Sequence, residues 1–215
     1  MLLPSAEPHD TLDLDSAVAA QALAVAYLGQ LQRTLDSLDL ACLERMTTTL
    51  ERCYATGHTL FVLGNGGSAA TASHLAADFT KLATPPRSPR RLRALCLSDS
   101  GAALTAAAND FGYDEGFAEQ LRSFMQPGDV VLGISTSGRS PNVLRALEFA
   151  AGGGATVLAI TGEHGTELRA LSTDTLVIAS NSVQRVEDVT LVAGHMLCLM
   201  VRARCEAGEA PPPAD

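Results

Sequence analysis

Apolar positions recur along this chain in two different rhythms. Between residues 16 and 56 they fall at helical spacing, first Val18, Ala22, Val25, Leu28, Leu31 and Leu35, then Leu40, Leu43, Met46 and Leu50, with Gly57 as a stop. The spacing predicts two helices, each with one apolar face. After them come short runs rich in Val, Leu and Ile at 59–63, 94–97, 130–134, 155–160 and 175–178. Such unbroken runs predict strands buried on both faces. Helical stretches at 69–81, 104–108 and 141–151 separate them, and a long helix with much apolar surface closes the chain over 183–205. This alternation predicts an α/β fold: a doubly wound, five-stranded parallel sheet in a flavodoxin-like three-layer arrangement, with helices on both faces and extra N-terminal helices. Residues 15–207 read as one domain, 1–14 as a flexible arm and 208–215 as a disordered tail.

Composition narrows the class. The 215 residues suit one such domain, and 47% hydrophobic residues with no tryptophan predict an aliphatic core. A net charge of −9 argues against a nucleic-acid partner, whose footprint is a basic stripe. The first residues carry no basic and apolar leader pattern and the apolar runs are all interrupted, so a cytoplasmic protein without a membrane partner is expected. Cys42, Cys53, Cys96, Cys198 and Cys205 never fall in CxxC spacing and read as buried thiols. The proline-rich segment 83–93 with Arg87, Arg90, Arg91 and Arg93 is a loop; its arginines could steer an anion, but such runs are usually solvated.

Two strand-to-helix turns carry the candidate chemistry. The strand over 130–134 breaks into Ser135, Thr136, Ser137, Gly138, Arg139 and Ser140, and Ser140 before Pro141 reads as an N-cap and first helical position. Unpaired N–H groups and hydroxyls at a helix start suit a phosphate. The strand over 59–63 runs into Gly64, Asn65, Gly66, Gly67 and Ser68, whose glycines let a ligand approach the backbone. Two such turns at strand ends can hold one ligand in the crevice of a doubly wound sheet.

Four further residues lie on two helices. His74 and Asp78 are one turn apart, while Glu187 and His195 stand about 12 Å apart along the last helix and could meet only by leaning toward a point between them. Gathered there, two imidazoles and two carboxylates would suit zinc or a similar divalent metal. Helical residues at these spacings are also common on plain solvated faces.

The GNGGS turn at 64–68, the ISTSGRS turn at 134–140 and the AANDFGYD segment at 107–114 together resemble the SIS (sugar isomerase) domain, and within it the phosphoheptose isomerases. The resemblance implies an aldose–ketose isomerase that converts sedoheptulose 7-phosphate to D-glycero-D-manno-heptose 7-phosphate through an enediol. It implies a homotetramer built by the N-terminal helices, with sites at subunit boundaries. It implies sugar and phosphate contacts from Asn65, Gly66, Gly67, Ser68, Asn109, Asp110, Ser135, Thr136, Ser137, Ser140 and Glu187. It places metal ligation at His74, Asp78, Glu187 and His195, and proton transfer at Asp78, with Glu187 as a second carboxylate, and at His195. Asp78 stands where the family has Glu, Glu187 where it has Gln, Gln184 where it has Asp and Thr190 where it has His.

Two other functions are open on these residues. A non-catalytic SIS protein resembling the replication initiator-associating factor would keep the fold and bind a protein partner, but that relative lacks the final histidine. Dinucleotide binding would use Gly64, Gly66 and Ala69 as G-x-G-x-x-A, with Asp99 as the ribose acid; that acid lies about thirty residues on rather than about twenty.

Overall fold

The computed structural model describes residues 20–86, 88 and 90–208. The arm at 1–14, the expected helix start at Ser16 and Val18, Arg87, and 209–215 of the tail lie outside the described residues. Two helices come first, α1 (Ala20–Asp36) and α2 (Leu40–Thr56). The Asp39 side chain caps α2 by accepting from the Cys42 N–H at 2.9 Å, and Gly57, at φ +76°, ends it in the left-handed conformation that glycine adopts without strain. Then follow β1 (Thr59–Gly64), α3 (Gly67–Lys81), β2 (Arg93–Cys96), α4 (Gly101–Phe111), α5 (Gly116–Phe124), β3 (Val130–Ser135), α6 (Pro141–Gly152), β4 (Thr156–Gly162), α7 (Thr166–Leu171), β5 (Asp174–Ile178) and α8 (Val183–Gly208).

All neighbouring strands are parallel, in the order β2-β1-β3-β4-β5. The expected doubly wound, three-layer fold is therefore present. Side chains alternate along each strand, so one sheet makes two cores. Leu60, Val62, Leu132 and Ile160 pack with α2, α3 and α8, whereas Phe61, Leu63, Val131 and Ala159 pack under α5, α6 and α7. The winding reverses between β1 and β3, where ligands collect at the strand ends of this topology.

Some local expectations change. The helix expected at 104–108 extends over Gly101–Phe111, capped by Ser100 accepting from the Ala103 N–H at 3.2 Å, so Asn109 and Asp110 are helical. The helices α5 and α7 fall in stretches with no predicted element. The described residues of the expected loop up to Leu92 form no helix or strand, Arg93 opens β2, and two arginines tie the segment down. Arg91 donates to the Pro85 and Pro86 carbonyls at 2.7 and 2.9 Å, while Arg90 lies 5.5 Å over the Tyr54 ring and donates to the Ala55 carbonyl.

The cysteines are free; Cys42, Cys53, Cys198 and Cys205 are buried and Cys96 is half-buried. Burial pushes the Cys53 thiol up to about 12 and the Cys198 thiol up to about 11, so neither supplies a thiolate near neutral pH. No helix among the described residues is long and apolar enough to cross a membrane.

Candidate active site

The packing of α3 on α8 creates the first half of the site. Gly194 has no side chain, and a Cβ built there would fall 2.3 Å from Leu75 Cδ2, so the two helices approach closely at this pair. Their next neighbours in sequence are His74 and His195. The two imidazole Nε2 atoms lie 3.0 Å apart, with the rings edge to face at 62°. Asp78 Oδ2 stands 3.2 Å from His74 Nε2 and 3.5 Å from His195 Nε2. The shorter acid thus reaches both rings. The carboxylate is 19% exposed, whereas the imidazoles are 50% and 46% exposed and open to solvent on this single chain.

These three residues form a group whose ligand atoms all lie within 4.8 Å of one another. Two nitrogens and one carboxylate oxygen converging on a point are a donor set that fits zinc or a similar divalent ion. The structure does not bring Glu187 to this group. It sits two turns earlier on α8, where its carboxylate packs against the start of α3: a Cβ on Gly67 would lie 2.2 Å from Glu187 Oε1. Eight residues of helix separate it from His195 by about 12 Å, a span that leaning side chains do not close here. Thr190 is buried and donates to the Val186 carbonyl at 2.6 Å, and Gln184 accepts from the Ser182 hydroxyl at 3.2 Å.

The second half lies at the β1/β3 switch. Gly64 pairs with Ile134, so the GNGGS and STSGRS turns leave the sheet side by side. Ser135 is buried; its Oγ accepts from the Gly138 N–H at 3.1 Å and meets Ser140 Oγ at 3.2 Å. Ser137 is exposed and its Oγ accepts from the Arg139 N–H at 3.3 Å. Gly138 holds φ +65°, and a Cβ there would stand 2.3 Å from the Gly165 Cα, so only glycine fits against the loop after β4. The Thr161 hydroxyl braces the same turn from β4 by donating to the Ser135 carbonyl at 2.7 Å, and the Thr136 carbonyl accepts from the Gly162 N–H at 3.1 Å. Ser140 stands at the N-cap of α6 without giving a side-chain cap bond, and the first turn of α6 has no acid.

Around β1, Gly66 and Gly67 are exposed and Ser68 is buried. Asn109 and Asp110 are exposed at the end of α4, where the Asn109 amide donates to Asp110 Oδ1 at 2.8 Å. Two residues that the sequence reading passed over join this region. Asn142 exchanges hydrogen bonds with Asn65 at 2.8 and 2.9 Å, and the Tyr113 hydroxyl donates to Asn65 Oδ1 at 2.9 Å. Their signal was present, since Asn142 falls just after Ser140 and Pro141, and Tyr113 lies within AANDFGYD.

Known proteins share this fold. Residues 25–162 match the SIS domain. The phosphoheptose isomerase of Nitratidesulfovibrio vulgaris is 41% identical over 154 residues, covering 72% of this chain and 71% of the relative. That of Paramagnetospirillum magneticum is 38% identical over 191 residues, or 88% and 94% of the two chains. The solved phosphoheptose isomerase from Neisseria gonorrhoeae superposes with a TM-score of 0.78 at 28% identity, covering 85% of this chain and 98% of its own. A likeness that runs through the crevice at the switch point and along nearly whole relatives settles the kinship: the chain belongs to the SIS domain family and, within it, to the phosphoheptose isomerases.

Proposed function

We propose that this protein isomerises sedoheptulose 7-phosphate to a heptose 7-phosphate, with its proton-transfer groups at the His74–Asp78–His195 cluster and its phosphate at the 135–140 turn. The observation that carries the reading is that cluster: a carboxylate and two imidazoles converge within 3.5 Å in a fold shared with phosphoheptose isomerases. Electrostatics favours one turn over the other for the phosphate. The start of α3 already has the Glu187 carboxylate against it, whereas α6 offers its N-terminus, the Ser135, Thr136, Ser137 and Ser140 hydroxyls and no acid in its first turn. Asn65, Gly66, Gly67, Ser68, Asn109, Asp110 and Glu187 then face the sugar.

In the forward reaction Asp78 takes a proton from C1 while His195 gives one to the C2 carbonyl oxygen, which leaves an enediol. Asp78 then returns its proton to C2 as His195 takes the proton of the C1 hydroxyl, and C1 becomes the aldehyde. Asp78 Oδ2 faces the imidazoles, so Oδ1 is the oxygen left to receive the proton. His74, Asp78 and His195 would hold a zinc or similar divalent ion. When bound, it supplies a positive charge that polarises the carbonyl and stabilises the developing enediolate.

The non-catalytic rival loses ground because His195 is present and faces Asp78. Dinucleotide binding loses ground because it has no use for the second, hydroxyl-rich turn. The free cysteines fit a cytoplasmic setting. Incubating the pure protein with a panel of ketose phosphates tests the reading: aldose product from sedoheptulose 7-phosphate supports it, and no product from any of them removes it.

The reading includes a homotetramer. Of the residues of α1 only Thr34 is buried, while Val25 and Leu28 on α1 and Leu199 on α8 are more than 60% exposed. Apolar residues on one uncovered helix pair are what a second copy would cover. Light scattering of the full-length protein at micromolar concentration is expected to give the mass of four chains. A monomer would contradict the assembly and the placing of sites at subunit boundaries.

A further inference from the structure

Three segments of the crevice meet at one side chain. Asn65 follows β1, Asn142 lies in the first turn of α6 just after the hydroxyl-rich turn, and Tyr113 closes the segment that carries Asn109 and Asp110. Asn65 Nδ2 donates to Asn142 Oδ1, Asn142 Nδ2 donates back to Asn65 Oδ1, and the Tyr113 hydroxyl donates to that same Asn65 oxygen. A carboxamide oxygen has two lone pairs. Both on Asn65 are therefore used within the protein, and so are both on Asn142, whose Oδ1 also accepts from the Val143 N–H at 3.0 Å. Asn142 is 1% exposed, so its amide cannot exchange these partners for water. What Asn65 still offers a ligand is its second N–H.

The placement matters because the β1/β3 backbone ladder ends at Gly64 and Ile134. Beyond that pair the two turns diverge around the ligand space, and the reciprocal amides act as one more rung. We propose that Asn142 and Tyr113 are positioning residues for the sugar phosphate. The amide pair sets the distance between the GNGGS and STSGRS turns, and the Tyr113 hydroxyl fixes the Asn109–Asp110 segment to the same point. Neither touches the reacting atoms; both act through Asn65. This assignment rests on the isomerase reading above, and it separates a substrate-facing donor, Asn65, from the two residues that aim it.

Asn142→Ala tests it through calorimetry and kinetics with sedoheptulose 7-phosphate. The expected result is that Kd and KM rise about tenfold, the worth of one to two neutral hydrogen bonds, while kcat stays within about threefold because the reacting groups are elsewhere. The double variant Asn65→Ala/Asn142→Ala should bind no more weakly than Asn65→Ala alone, since both break one pair. Tyr113→Phe keeps the ring and removes an exposed hydroxyl; it should raise KM several-fold at unchanged Tm, and it decides the matter if Asn142→Ala does not fold. Wild-type Kd and KM in these variants, additive effects in the double variant, or a joint fall of kcat and Tm without a KM change would each overturn the proposal. A wild type that binds the sugar phosphate without turning it over refutes the isomerase reading, yet the Kd comparison still decides this one. A wild type that binds no sugar phosphate overturns both.

Discussion

Asp78→Asn is expected to leave folding and sugar-phosphate binding nearly unchanged and to lower turnover by about 10²–10⁴-fold, the usual worth of a positioned base. The substitution keeps the side chain's size and one ligating oxygen but removes the lone pair that accepts the proton. Among the described residues the Asp78 carboxylate is the only acid in the cluster, and both imidazoles lie within 3.5 Å of its Oδ2. His195→Gln should lower kcat in the same way if its imidazole carries the oxygen-bound proton. Asp78→Glu restores the length that the resembled isomerases use. Because the shorter acid already reaches both rings, the longer one must displace them or turn aside, and the activity of this variant reports whether the pocket has adapted to aspartate. Steady-state kinetics beside thermal unfolding separates these outcomes. Full activity in Asp78→Asn would move the base to Glu187, whose carboxylate faces the start of α3.

Ser137→Ala combined with Ser140→Ala should be the most damaging change to binding that leaves the fold intact. Each hydroxyl lost from a charged acceptor costs about 1.5–3 kcal/mol, so the pair should weaken sugar-phosphate affinity by roughly 10²–10⁴-fold. Each hydroxyl makes one long contact within the turn, Ser137 Oγ with the Arg139 N–H at 3.3 Å and Ser140 Oγ with Ser135 Oγ at 3.2 Å, and neither caps the helix. Ser137 is exposed, and Ser140 stands at the N-cap of α6 without giving a cap bond. Ser135 is different, because its buried hydroxyl is bonded to the Gly138 N–H inside the turn, and its loss would disturb the turn itself. Calorimetry that found the double variant within about threefold of wild type would move the phosphate away from this turn.

Much of the fold was legible because strands buried on both faces advertise themselves as unbroken apolar runs. The run at 130–134 became β3 and the helix after Pro141 began where proline allows it. Short helices left weaker marks. The six residues of α7 bury only Leu168, too few for a period to show. In α5, Phe117, Ala118 and Leu121 do make a buried face, so its signal was available in the sequence. Asn109 and Asp110 look like turn residues, yet the alanines before them carry α4 onward until Gly112, at φ +95°, ends it.

The site was legible in part for the same reason. Helical spacing alone brings His74 onto the face of Asp78. That His195 meets them depends on Gly194 letting α8 settle on Leu75, a contact between segments more than a hundred residues apart that no local pattern encodes. Glu187 illustrates the converse. Its residue type and the family likeness drew it toward the metal, but the rise of α8 carries it to Gly67. Asn142 lies beside the hydroxyl-rich turn in sequence, but its partner across the switch point becomes visible only once β1 and β3 are paired.

The most direct test is proton NMR of sedoheptulose 7-phosphate in deuterated water with the pure protein and a divalent ion. As the proton held by Asp78 exchanges with solvent before its return, aldose heptose 7-phosphate signals are expected to grow with deuterium at C2, one of the two C1 protons of recovered ketose is expected to exchange, and Asp78→Asn should suppress both. An unchanged ketose spectrum, or conversion that proceeds equally well in Asp78→Asn, would contradict the account.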